Sequence, residues 1–317
     1  RVLELALGLA EEKGFKVAGC LLAGRVYLEK DLLQRARHYA HRALELAPYN
    51  SGALLLAGRT EKKMHGARQA ERYFARLVRD NPRHSAGLYE LGRTQFQLKE
   101  FEKGLKSLRK ACEFSPSNGE YRYWYGKALH VVDQDERAIR QLEMAAADLE
   151  SPYRAYTQLG LIASERGNEE KAMDYYGRAV NAAPDRAFLA SNNLAALLLE
   201  RGENPPRALA LAYFSHVHAT QDATISHTAD TLAMALIENG NAGSAVGPAR
   251  RAVAARPNHA GRQLRLAIAE AVNGNVERAK KSLHKVIELE PDAEHARTAR
   301  KILSEWSRGE SVAEPVD

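Results

Sequence analysis

Cysteine is almost absent from this chain of 317 residues, which has Cys20 and Cys112 and no others. So few exclude a disulfide-stapled scaffold and any multi-cysteine zinc or iron–sulfur site. Long hydrophobic runs are missing as well, and none approaches the roughly 20 apolar residues that a bilayer-spanning helix needs. There is no Walker A loop, no Rossmann glycine fingerprint, no HExxH pair and no Gly-x-Ser-x-Gly elbow. Carboxylates are plentiful, yet they follow helix surfaces near Lys or Arg at i+3 or i+4, and no motif sets two of them as a catalytic pair. The expectation is a chain with no catalytic residue, no cofactor and no metal. Residue 1 is Arg and not Met, so the lack of a leader segment carries no information on compartment.

What is present is globular material with an unusual order. Hydrophobic residues make up 45% and charged residues 27%, too apolar for a wholly disordered chain. Length alone would suggest about two domains. The order lies in two ladders with one period. Pro48, Pro82 and Pro116 are 34 apart, as are Pro257 and Pro291. Gly24, Gly58, Gly92, Gly126 and Gly160 keep the same step. A fixed period of this size is the mark of a repeat architecture.

Each repeat reads as two helices. Between 153 and 186, Tyr156, Leu159, Gly160 and Ala163 share one helix face at i, i+3, i+4, i+7. Gly167-Asn168 breaks that helix. Ala172, Tyr176 and Ala179 mark a face of the second helix. Pro184 closes the repeat, because proline cannot continue a helix and biases the residue before it away from the helical region. Gly160 and Ala172 fall where the two helices would cross closely, and Ala179 where the next repeat would pack.

The segment from Tyr156 to Pro184, YTQLGLIASERGNEEKAMDYYGRAVNAAP, resembles the tetratricopeptide repeat (TPR). That pattern runs bulky residue, Leu-Gly, aromatic or apolar residue, then Ala, aromatic, Ala and Pro. The resemblance implies an all-α, right-handed superhelical α-solenoid with one continuous core, in which length counts repeats and not domains. By register there are eight repeats: 17–50, 51–84, 85–118, 119–152, 153–186, 188–222, 226–259 and 260–293. Residues 1–16 read as a helix of a truncated upstream repeat. Residues 294–306 read as a capping helix with Ala296, Ala299, Ile302, Leu303 and Trp306 on one face, and 307–317 as a disordered tail.

The departures from the pattern cluster. Repeat four carries Glu150 where Pro is expected. Repeat six has Ala195 in place of the ladder glycine and an extra residue near Pro205-Pro206. Its second helix runs into SHVHATQDATIS with no closing proline and a few extra residues. Local irregularity is expected between about 200 and 226, as a hinge or a rigid kink. His216, His218 and His227 lie near it. On a helix the first two would diverge by about 200°, which favours solvated imidazoles over a metal site.

The resemblance also implies a concave groove, lined by the second, fifth, ninth, twelfth and thirteenth residues of each repeat. The ninth position holds Arg25, Arg59, Arg93 and Lys127, a basic ladder with the repeat's own step. Lys62 and Lys63 add charge, Tyr89, Phe96 and Tyr123 add flat apolar area, and His130 sits at the twelfth position of repeat four. Arginine pairs well with carboxylates and phosphates through its fork of donors. Groove positions of the later repeats, among them Thr157, Glu165, Asn192, Asp230 and Glu238, are not basic. Residues 1–152 hold 26 basic and 20 acidic side chains, and residues 153–317 hold 20 of each, so the net charge of +6 belongs to the first part. The competing reading is a solvated face, since Arg is a good helix former and keeps a surface soluble.

These readings imply a non-catalytic scaffold that binds an acidic or anionic partner segment in the basic groove. Arg at the ninth position departs from the Lys and Asn of the family's carboxylate clamp, so that specific activity is not implied. NNLAALLLERGENPPRALALA and DTLAMALIENGN resemble late repeats of bacterial TPR proteins in exopolysaccharide secretion and exosortase-linked systems. That resemblance implies a periplasmic assembly arm and an anionic polysaccharide as a further partner. The alternative is the substrate-recognition arm of a larger enzyme such as a TPR-containing glycosyltransferase. Nucleic acid is not the expected partner: a pI near 9.2 reflects a modest charge excess, and no recognition motif accompanies it.

Overall fold

The computed structural model describes residues 1–308, and among these there are eighteen α-helices and no strand. Residues 309–317, most of the expected tail, lie outside the described residues. The fold is an all-α solenoid. The chain divides into two compact units, Arg1–Ala155 and Tyr156–Asp317.

The first unit contains α1 (Val2–Glu11), α2 (Lys16–Glu29), α3 (Leu33–Leu46), α4 (Ser51–His65), α5 (Ala67–Asp80), α6 (Ser85–Gln97), α7 (Phe101–Phe114), α8 (Gly119–Val131), α9 (Asp135–Asp148) and the start of α10 (Tyr153–Glu165). From α1 to α9 each helix packs on the next in the chain. The glycine ladder explains how closely. An added Cβ at Gly58 would lie 2.4 Å from the Phe74 ring, and at Gly92 and Gly126 2.7 Å from Leu108 and Leu142. Capping repeats too: Asn50, His84 and Asn118 each accept, through the side chain, the amide of the third residue on, at 3.0 to 3.1 Å. Such caps satisfy amides that the first helical turn leaves without partners.

The second unit continues through α11 (Glu169–Ala182), α12 (Phe188–Glu200), α13 (Pro205–His218), α14 (Asp222–Glu238), α15 (Val246–Ala255), α16 (Ala260–Val272), α17 (Val276–Leu289) and α18 (Glu294–Ser307). A short 3-10 turn, Ala242–Ala245, leads into α15. The Tyr176 ring lies where a Cβ on Gly160 would reach within 2.5 Å of it. Ala299, Ile302, Leu303 and Trp306 of α18 pack on the core that α16 and α17 share.

The irregular stretch expected between about 200 and 226 takes a simpler form. The extra residue near Pro205-Pro206 is accommodated by Asn204, which adopts a left-handed φ of 46° and caps α13 by accepting the Arg207 amide. Both prolines sit in the first turn of α13, where a missing N–H costs nothing. The surplus beyond His218 is absorbed by α14, which begins at Asp222 and runs for 17 residues. Extra length becomes helix and not loop.

Candidate partner-binding cleft

The expected groove cations of the first unit lie on α2, α4, α6 and α8. Arg25 is exposed and lines, with Leu28, Leu55 and Arg59, a shallow cleft of about 250 Å³. Arg59 donates from Nε to Glu90 Oε1 at 2.8 Å, and Lys62 Nζ stands 3.8 Å from Oε2 of the same carboxylate. Glu90 is buried, and a buried charge is tolerated when it is paired in this way. Burial pulls the Lys62 ammonium below its ordinary range, Glu90 opposes this, and Arg93 and Arg59 reinforce it. Lys63 donates to Asp31 Oδ1 at 2.9 Å. The ladder is therefore not a column of equivalent free cations: Arg59, Lys62 and Lys63 hold carboxylates of the chain itself.

The unpaired charge gathers on α6 and α8. Arg93 Cζ lies 4.2 Å from the centroid of the Trp124 ring and 5.2 Å from that of Tyr89. Lys127 Nζ lies 5.2 Å from the same Trp124 ring. Arg154, in the first turn of α10, stands 4.4 Å from the Tyr123 ring and 6.0 Å from Trp124. Contacts of this kind are favourable because a ring face is electronegative. One carboxylate serves the cluster. Glu120 accepts from Tyr89 Oη at 3.1 Å, from Trp124 Nε1 at 2.9 Å, and from Arg154 Nη1 at 3.2 and 3.1 Å. Neither Arg93 nor Lys127 has a carboxylate partner among the described residues. Arg93 donates from Nη1 to Tyr89 Oη at 3.0 Å, and its buried Nε meets no acceptor. Burial lowers the Lys127 ammonium, and Arg154 and Arg93 lower it further.

Beside these cations opens a cleft of about 200 Å³. Its apolar lining is Phe96, Leu108, Trp124, Ala128 and Val131, and its polar lining is Arg93, Gln97 and Lys127. Phe96 is therefore part of the wall of this cleft. Tyr89 and Tyr123 do not offer free contact area: they are 6% and 7% exposed, and each ring underlies a guanidinium. Tyr89 also stacks on Tyr121, with centroids 4.6 Å apart. Burial raises both the Tyr89 and the Tyr123 phenols, that of Tyr89 well above the usual range. His130 pairs through Nδ1 with Asp135 Oδ1 at 2.8 Å.

Three residues of this site escaped the sequence reading, Glu90, Trp124 and Arg154, whereas Glu120 falls at a groove position, the second of repeat four, without its role as shared acceptor being foreseen. Arg154 was legible, because it occupies the second position of repeat five, and it corrects the expectation that groove positions lose their basic character there. Trp124 occupies no groove position and had no such signal. In the second unit His216 Nδ1 meets Thr228 Oγ1 at 3.1 Å, and His218 donates from Nδ1 to the Phe214 carbonyl at 2.8 Å. Among the described residues no group of three or more His, Cys, Asp or Glu could hold a metal ion. No described helix is long and apolar enough to cross a membrane.

Models of the tetratricopeptide repeat match residues 55–119, 153–186 and 263–293. The chain carries tetratricopeptide repeats. Solved structures agree on the fold. A tetratricopeptide repeat protein from Parabacteroides merdae is 15% identical with a TM-score of 0.56, over 81% of this chain and 99% of that one. The Cut9–Hcn1 heterotetramer of the APC/C is 15% identical with a TM-score of 0.59, over 94% of this chain and 58% of that one. PilW, a type IV pilus biogenesis factor, is 20% identical with a TM-score of 0.55, over 67% of this chain and 96% of that one. No curated protein matches the sequence. Within this TPR chain the Trp124 cleft stands out as the place where groove cations, an indole and apolar lining meet.

Proposed function

We propose that this TPR chain is a non-catalytic protein-interaction scaffold whose first unit binds an acidic segment of a partner in the Trp124 cleft. One observation carries the reading: Arg93 and Lys127 line a cleft of about 200 Å³ with no carboxylate among the described residues paired to either of them. Cations held against a ring and left unpaired invite an anion, and the apolar lining gives a neighbouring side chain somewhere to go. Arg25 is exposed and lines a second shallow cleft with Arg59 and the acidic Glu29, which offers a further cation towards α2. The cleft specifies charge and shape, which an envelope assembly arm and the recognition arm of a larger enzyme would both use.

The test is anisotropy titration of labelled peptides of equal length, one acidic, one neutral and one basic. The acidic peptide is expected to bind, and more weakly as salt is raised. Its affinity should fall at least about tenfold in the Arg93→Glu/Lys127→Glu double variant, since a charge-assisted contact is replaced by repulsion. Equal binding by wild type and double variant, with both folded by circular dichroism, would overturn the assignment.

A further inference from the structure

We infer that the Trp124 cleft selects a phosphorylated side chain over a carboxylate, with the phosphoryl dianion held by Arg93 and Lys127 and a neighbouring apolar side chain against Phe96 and Val131. This deepens the binding function proposed above and rests on it.

Charge balance is the first argument. Arg93, Lys127 and Arg154 surround Trp124, and among the described residues Glu120 is the single carboxylate bonded to that group. Three positive charges against one negative leave an excess of two. A carboxylate ligand removes half of that. A phosphoserine side chain carries about −1.5 to −2 near neutral pH and removes nearly all of it. The neighbouring cluster on α4 shows the contrast, since there Arg59 and Lys62 both engage Glu90 and an excess of one positive charge remains.

Donor supply is the second argument. A guanidinium has five N–H donors and an ammonium three. Among the described residues Arg93 makes one hydrogen bond, from Nη1 to Tyr89, and Lys127 has no carboxylate acceptor. A phosphoryl group offers three acceptor oxygens to such a pair, one more than a carboxylate. Preorganisation is the third. Glu120 fixes the Trp124 indole N–H, the Tyr89 hydroxyl and Arg154 at once, so the wall of the cleft is set before any ligand arrives. Burial first and then Arg154 and Arg93 lower the Lys127 ammonium, and the repulsive part of this is relieved most by the ligand of highest charge.

The test uses the full chain carrying Trp306→Phe, which leaves Trp124 as the single tryptophan reporter. Three peptides are titrated, acetyl-Gly-Ser-Leu-X-Leu-Ser-Gly-amide, with X as serine, glutamate or phosphoserine, and Trp124 fluorescence is followed. The phosphoserine peptide is expected to bind at least about tenfold more tightly than the glutamate peptide. Lys127→Gln should remove that advantage, and Lys62→Gln, in the closed cluster, should leave it intact. Equal affinities for glutamate and phosphoserine, both lost in Lys127→Gln, would overturn the phosphate preference and leave the acidic-segment reading standing. Phosphoserine binding unchanged by Lys127→Gln would overturn the assignment to this cleft. Binding of none of the peptides to the parent chain would overturn both readings.

Discussion

Gly58 has no room for a methyl group: a Cβ there would lie 2.4 Å from the Phe74 ring, which is itself fully buried. Gly58→Ala is expected to destabilise the chain by about 1–3 kcal/mol through overpacking, even though alanine is the better helix former. Urea unfolding measures the change, and an unaltered or raised midpoint would show that α4 and α5 can separate freely. At this scale the sequence was readable wherever one steric demand recurs in one register, as the glycine ladder does. It was not readable where a residue's role depends on an offset other than the repeat. Arg59 meets Glu90 and Tyr89 meets Glu120, each 31 residues on, whereas Arg154 meets Glu120 at 34. A column of like residues spaced by 34 shows the ladder and hides the acid, Glu90 on α6, that pairs with Arg59.

Turns between the paired helices share a backbone device. Gly167, Gly202, Gly240 and Gly274 have φ between 64° and 78°, and Asp31, Lys99 and Asp133 adopt values of 58° to 61° at the equivalent place. Glycine tolerates the left-handed region without cost, whereas a residue with a Cβ is strained there by about 1–2 kcal/mol. Lys99→Gly is therefore expected to stabilise the chain by up to about 1 kcal/mol, once glycine's larger unfolded-state entropy is subtracted. Thermal unfolding of the variant beside wild type checks this, and a lower Tm would mean that Lys99 makes a contact worth more than the strain. Whole helices were legible from the apolar period and the Gly-Asn and Pro breaks. The start of α14 was not, because DATIS carries no apolar stripe of its own and becomes helical by continuing a segment that packs further along.

Across the whole chain the titrating groups divide into two opposed sets, and their signs fix how stability should vary with alkaline pH. Tyr176 is 1% exposed and burial pushes its phenol, ordinarily near 10, up to about 12. Between those values the unfolded chain releases a proton that the folded chain keeps, so stability falls as pH rises, by on the order of 2 kcal/mol for this residue by pH 12. Tyr89, Tyr121 and Tyr123 are raised by burial and act in the same direction. Lys62 and Lys127 act in the other: their ammonium groups are lowered from 10.5, so the folded chain releases those protons first and gains stability as pH rises towards that value. Burial also raises the Cys20 and Cys112 thiols from their ordinary 9.0, so they act with the tyrosines from about pH 9, and the expected profile is nearly level below pH 9 and falls with growing steepness above it. Urea midpoints measured at intervals through that range on wild type and Tyr176→Phe separate the contributions. The variant should start lower, by about 1 kcal/mol, because Asn193 Nδ2 loses its acceptor at 3.1 Å on the Tyr176 hydroxyl. Its midpoint should then drop less than that of wild type above pH 10, and equal drops in the two proteins would mean that the Tyr176 phenol titrates as it does in the unfolded chain.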